Sequence, residues 1–372
     1  MDKMKLKIGV VGGGASGLLF SYLVKFLAPS KVDVCIFEKN DKVGKKILAT
    51  GNGKCNLSNA NLEAGLYNNE FAKEIVSKID EKTVKKVFLE LGIVTKTDKE
   101  GRIYPYSMSA NSVLDALLDA NLKIGNTIYT NHEVKELKYS NSIFLIDNLT
   151  FDYLVLACGS KANTKINHLI GQKLVDFGHE WVADHPGLCS IETVDATSSL
   201  NGIKVKAKVS IKDHNFDGEV LFKNNGLSGI AIFEASRYAN SGDILHLDLM
   251  SEYNDAEIGK LIPDLKTFNH TFPKMVAKDI LNRAKGDLNK ALKIIKDYTF
   301  EVKRLSSYEN AQIMVGGIDT KDVKDTFESK IIPNLYILGE VLDVDGTCGG
   351  YNLHFAWASA IIASKNIADG LK

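Results

Sequence analysis

The chain has few cysteines, no surplus of either charge and no long apolar run, and each shortage removes a class of explanation. Five cysteines, Cys35, Cys55, Cys158, Cys189 and Cys348, make an odd set with no C-x-x-C spacing, so free thiols in a reducing compartment are expected. The 46 basic and 46 acidic residues cancel, which argues against a surface built mainly for nucleic acid or anionic lipid. No uncharged apolar run reaches membrane-spanning length, and the first strand begins close to Met1, so neither a membrane span nor a secretory signal is expected and the protein is read as cytoplasmic. Repeats and low-complexity tracts are missing too. At 372 residues the chain has room for two or three domains whose cores need no metal or disulfide.

What is present begins with a dinucleotide fingerprint. Residues 6–11 (LKIGVV) form a short apolar run that leads into Gly12, Gly14 and Gly17 at the G-x-G-x-x-G spacing, as a buried strand opening into a helix should. Leu18, Leu19, Tyr22, Leu23, Phe26 and Leu27 then recur at three- and four-residue steps until Pro29, predicting a helix. A second apolar run, 32–37, ends in Glu38, where such folds place the acid that accepts hydrogen bonds from the adenosine ribose. Gly12 allows the tight turn, Gly14 lets backbone approach the pyrophosphate, and Gly17 lets helix and strand pack closely. No second fingerprint appears, so a separate second nucleotide-binding domain is not expected.

Residues 45–59 (KKILATGNGKCNLSN) lack apolar periodicity and read as a structured loop. Its Lys45, Lys46, Thr50, Asn52, Lys54, Asn56 and Ser58 suit a pyrophosphate or flavin edge, or else simply a solvated surface. A helix is predicted over 71–91, a hairpin tip over 98–102, a helix over 110–120, a strand over 127–137 and a buried strand over 152–159. Alternating segments between 185 and 250 predict antiparallel sheet, and lysine-rich stretches from 254 to about 305 predict helices with a solvated face. A final strand at 334–338 leads through Gly339 and Glu340 to a glycine-rich turn over 343–350 and a helix over 351–367. Backbone N–H groups of Gly350, Tyr351 and Asn352 at that helix start suit the negative charge of a reduced flavin along N1 and the C2 carbonyl.

The segments GGGASG, EKNDKVGKKILATGNGKCNLSN, NNGLSG, AQIMVGGIDTKDV and NLYILGEVLDVDGTCGGYNLHFAWASA resemble the bacterial aminoacetone-oxidase-like family of FAD-binding oxidoreductases, which is similar to a flavoprotein of bile-acid dehydroxylation. The likeness spans nearly the whole chain. It departs mildly, with Lys45 and Lys54 where relatives often carry arginine and Ile230 where many have proline.

The resemblance implies an α/β protein. Its discontinuous Rossmann-like FAD-binding domain spans 1–160 and 311–372, with an inserted β-rich domain at 161–253 and a small helical part at 254–310. Together with the fingerprint it places FAD against Gly12, Gly14, Ala15, Ser16, Gly17, Glu38 and Lys39; against Lys46, Thr50, Gly51, Asn52, Lys54, Cys55 and Asn56; against Val134, Ala157, Cys158 and Gly159; and against Gly339, Glu340, Gly349, Gly350, Tyr351 and Asn352.

The expected chemistry is hydride or electron transfer through FAD on a small organic substrate, with NADH or NADPH as a transient reductant. A flavin-containing redox sensor without turnover is the alternative, and action on RNA through the lysine-rich helices a lesser one. Asn52, Lys54, Cys55, Gly317, Asn352 and His354 are candidates around the ring. Cys55 reads as a redox thiol or as packing, and Tyr351 and His354 as proton donors or satisfied polar groups. No metal site is expected.

Overall fold

The computed structural model describes residues 5–63, 66–162 and 168–372. The chain divides into two compact units, Met1–His185 with Ile313–Lys372, and Pro186–Gln312.

The first unit is built on a five-stranded parallel sheet. Its central strand, Leu6–Val11, pairs with Tyr153–Leu156 on one side and Val32–Phe37 on the other, with Leu335–Ile337 and Thr127–Tyr129 outermost. The central strands are mostly apolar and covered on both faces: Ile8, Val10, Val34, Ile36, Leu154, Leu156, Leu335 and Ile337 are all buried, while Lys7 and Asp33 near the strand starts are exposed. The first helix, Ala15–Leu27, and the last, Tyr351–Gly370, pack on each other, and one apolar core joins them to the sheet. Both ends of the chain therefore build a single Rossmann-like layer. Since all five strands run the same way, their carboxyl ends share one edge.

The second unit is a closed antiparallel barrel with its own core. Its strands follow the order Ile191–Thr193, Gly226–Ser228, His214–Lys223, Lys204–Ile211, Ile244–Asp248 and Tyr298–Leu305, and the last returns to pair with the first. Four helices, Asp255–Leu261, Leu265–Thr271, Lys274–Arg283 and Leu288–Lys296, lie in sequence between the final two strands. Three of these helices start on side chains that accept first-turn N–H groups: Asn254, Asp264 and Asp287.

Four sequence expectations change. The helix predicted over 71–91 is two, Glu70–Lys78 and Glu81–Glu90, because Ile79 turns extended and the Asp80 carboxylate accepts the Thr83 N–H at 2.8 Å to start a new helix. The strand over 127–137 stops at Tyr129, and Leu137–Ser140 belongs to a separate antiparallel sheet. Residues 45–59 are not all loop: Lys45–Ala49 is one helical turn and Thr50–Gly53 a tighter one. Tyr298–Leu305 lies in the stretch read as helical, yet it is the strand that closes the barrel.

Candidate functional site

The fingerprint glycines sit where the central strand ends, and they differ in what forces them. At Gly12, φ is +112°, and an ideal Cβ would lie 2.2 Å from the Ala157 carbonyl oxygen. A Cβ at Gly17 would lie 2.0 Å from the Gly12 oxygen. Both are required by the protein's own packing. Gly14 is different: it caps the first helix with an ordinary φ of −88°, and a Cβ there would meet nothing within 4 Å. The turn thus leaves an open cradle at the positive end of a helix, next to Ala15 and Ser16 in its first turn.

Neighbouring strand ends converge on the same edge. Glu38, after Val32–Phe37, is buried; its Oε2 accepts the Gly13 N–H at 3.0 Å and its Oε1 the Asn40 N–H at 2.8 Å. The carboxylate is therefore held beside the glycine turn by protein donors. Burial pulls the Lys39 ammonium below its usual range, against the opposing charges of Glu133, Glu38 and Cys158. Val134 is buried beyond the outer strand. After Tyr153–Leu156 come Ala157, Cys158 and Gly159. Burial pushes the Cys158 thiol up to about 11, and Gly159 has φ +71° with open space where a Cβ would be. Gly339 and Glu340 follow Leu335–Ile337 in the same manner.

The segment after Glu38 reaches across to that last strand end. Lys46 forms an ion pair with Glu340 and lies 3.3 Å from Ser160 Oγ, while Glu340 Oε1 accepts the Met314 N–H at 3.2 Å. Beyond Thr50, whose hydroxyl donates to Ile47 O at 2.6 Å, the backbone is left-handed at Gly51, Asn52, Gly53 and Cys55. Gly51 to Lys54 are exposed. Of the four left-handed residues only Asn52 and Cys55 are not glycine, Asn52 exposed and Cys55 buried. Asn56 turns inward and is buried, and its Oδ1 has no hydrogen-bond partner among the described residues.

At the start of the last helix Gly349 and Gly350 have φ of +129° and +105°. Asn352 braces the turn ahead of it, accepting the Gly346 N–H and donating to the Gly346 carbonyl, both at 2.8 Å.

The three catalytic candidates are engaged within the protein. Cys55 is fully buried, and burial pushes its thiol up to about 12. Tyr351 Oη donates to Asn61 O at 3.0 Å, and its own carbonyl accepts the Tyr67 hydroxyl at 2.9 Å. His354 is fully buried; Nε2–H donates to Ile79 O at 2.9 Å and Nδ1 accepts the Ser58 hydroxyl at 2.8 Å. Burial lowers its pKa to about 4, so the ring is neutral and serves as a brace.

Sequence reasoning missed the asparagines that hold this corner. Asn59 Nδ2 donates to Gly349 O at 2.9 Å, and Asn68 Oδ1 accepts the Asp345 N–H at 3.0 Å. Their partners are nearly 300 residues away, and no local signal marks them. Asp343, also unmarked, has its carboxyl pushed up by burial and then by Asp345 and Asp319. Gly317, a candidate near the ring, is held by packing, since its Cβ would lie 2.6 Å from Val341 O. Among the described residues no cluster of three or more His, Cys, Asp or Glu is placed to hold a metal, and no helix is long and apolar enough to cross a membrane.

The HI0933-like protein Rossmann domain matches residues 6–366. The chain is 31% identical to the 3-dehydro-bile acid delta(4,6)-reductase of Clostridium scindens, over 98% of this chain and 99% of that protein. It is 24% identical to the ribosomal RNA dihydrouridine synthase of Haemophilus influenzae, over 96% and 98%. Among solved structures, the open conformation of a flavocytochrome c3 fumarate reductase aligns with a TM-score of 0.48 at 14% identity, over 99% of this chain and 78% of that one. The chain belongs to the HI0933-like Rossmann-domain family, the FAD-binding oxidoreductases that its sequence resembles.

Proposed function

We propose that the protein is an FAD-dependent reductase that saturates a carbon–carbon double bond conjugated to a carbonyl, with NADH or NADPH as reductant. Gly14 carries the cofactor half of this reading. Its side chain is missing where neither its dihedral angles nor its packing demands it, and a backbone that must admit a pyrophosphate supplies the demand.

The residues divide the work accordingly. First-turn N–H groups of Ala15–Leu27 hold the phosphate charge. Glu38, fixed by the Gly13 and Asn40 N–H groups, takes the ribose hydroxyls. The start of Tyr351–Gly370 compensates negative charge on the ring, and the Lys46–Glu340 pair fixes the rim between them. When bound, FAD supplies the two-electron hydride chemistry. With the Cys55 thiol near 12 and the His354 ring neutral down to about 4, neither group exchanges a proton near neutral pH.

The substrate half draws on the relatives. A delta(4,6)-reductase of a 3-dehydro bile acid and a dihydrouridine synthase are named for one chemical operation, hydrogen added across a double bond that a carbonyl polarises. The first has the higher identity and favours a small cyclic enone; the second keeps the uracil ring of RNA as another reading.

Anaerobic mixing of the NADPH- or NADH-reduced protein with a cyclic enone, a 3-oxo-4-ene steroid and a uridine-containing RNA tests the proposal. The expected result is loss of the conjugated chromophore in step with flavin reoxidation for the enones. Turnover of the RNA alone moves the substrate to the second reading. Reoxidation by none of them, with redox-dependent association to another protein instead, contradicts it.

A further inference from the structure

Gly349 and Gly350 stand side by side where the last helix starts, both with positive φ. A peptide between two glycines has no Cβ on either side to restrict its rotation, so a hydrogen bond must set which way it faces. Asn59 supplies that bond. It is 3% exposed on the short strand Ser58–Asn59, and its Oδ1 accepts the Asn61 N–H at 2.9 Å, which aims Nδ2 at Gly349 O, also 2.9 Å away.

A trans peptide carries its C=O and the following N–H on opposite sides of one plane. With the Gly349 carbonyl held by Asn59, the Gly350 N–H points away from that strand. Both glycines are part-exposed, and no oxygen among the described residues accepts the Gly350 N–H. Asn56 and Ser58 O pack against Gly350 on its Cβ side, which is not the edge that carries the N–H. Turned through half a rotation, the same peptide would present its carbonyl oxygen instead and repel any negative charge in front of it. A donor fixed beforehand stabilises such a charge without reorganising when it develops.

We propose that Asn59 is a positioning residue that sets the redox potential of the bound flavin: by holding Gly349 O it keeps the Gly350 N–H turned toward the ring, where it favours the negative charge of the reduced form. The assignment rests on the FAD reading above and adds to it a side chain that acts through a peptide rather than on the cofactor itself.

The test loads wild type, Asn59→Leu, Asn59→Thr and Asn68→Ala with FAD and measures the midpoint potential, the affinity for oxidised FAD and the Tm of each apoprotein. Leucine keeps the volume, and threonine keeps a hydroxyl for the Asn61 N–H while falling short of Gly349 O. Both variants should lose about tenfold of the preference for reduced over oxidised FAD, which places the midpoint about 30 mV more negative. Oxidised FAD should bind them nearly as it binds wild type. Asn68 braces the same corner through the Asp345 N–H at 3.0 Å and not through the Gly349–Gly350 peptide, so Asn68→Ala should lower Tm and leave the potential in place.

A folded Asn59 variant whose potential matches wild type, or whose affinities for oxidised and reduced FAD fall together, overturns the assignment while leaving FAD binding intact. So does an equal shift of potential in Asn68→Ala. Wild type that binds FAD in neither state brings down the FAD reading itself.

Discussion

Gly12, Gly14 and Gly17 look alike as letters, and the structure separates them. Two are small because the Ala157 and Gly12 carbonyls leave no room, and one is small although it has room. The spacing made all three visible; which of them has open space beside it was not visible, because the packing at Gly12 depends on Ala157, 145 residues further along the chain. His354 shows the reverse case. A histidine in a helix first turn was open to either a proton-donor or a structural reading, and its buried contacts with Ser58 and Ile79 settle its form as neutral. Its folded pKa of about 4 lies below the unfolded value near 6.5. Below 6.5 the unfolded state takes the proton first, so stability present above 6.5 is lost as pH falls toward 4. The expected loss is about 1.4 kcal/mol per pH unit in that window. Urea melts of His354→Gln should show a pH slope shallower than that of wild type by this amount, since His179, also lowered by burial, keeps its own share; identical pH slopes contradict the brace.

At the scale of elements, the barrel's last strand and the helix Lys274–Arg283 are joined by one arginine. Arg283 Nε donates to Asp279 Oδ2 and its Nη1 to Thr299 O, both at 2.9 Å, and its guanidinium lies 4.7 Å and 4.8 Å from the Tyr298 and Phe300 rings. Tyr298 Oη completes the knot, donating to Asp279 at 2.6 Å. Arg283→Ala should cost about 2–3 kcal/mol of stability, read as a lowered urea midpoint without a change in flavin content; an unchanged midpoint contradicts the latch. In the sequence this arginine is one of many charges on a helical stretch read as solvated. The alternation of Tyr298, Phe300 and Val302 against Thr299, Glu301 and Lys303 was legible as a strand, and the helical texture just ahead of it masked it. The helix break at Asp80 was equally available as an N-cap signal inside an otherwise continuous apolar stripe.

Across the whole first unit, the sequence shows the opening strand–helix–strand, the last helix and the glycine turns that announce a cofactor. It does not show which distant parts meet. Lys46 with Glu340, Asn59 with Gly349 and Asn56 with Gly350 are pairings that arise only when parallel strands from both ends of the chain share a sheet, and long-range pairing leaves no periodic trace. The account of the molecule accordingly turns on whether a dinucleotide fills the cradle at Gly14. Flavin absorbance of purified wild type and Gly14→Val, each after incubation with FAD and gel filtration and each checked for an unchanged Tm of the apo form, decides it. Stoichiometric flavin on wild type and none on Gly14→Val is the predicted result; a folded wild type that stays colourless, or a Gly14→Val variant that keeps its full flavin, contradicts it.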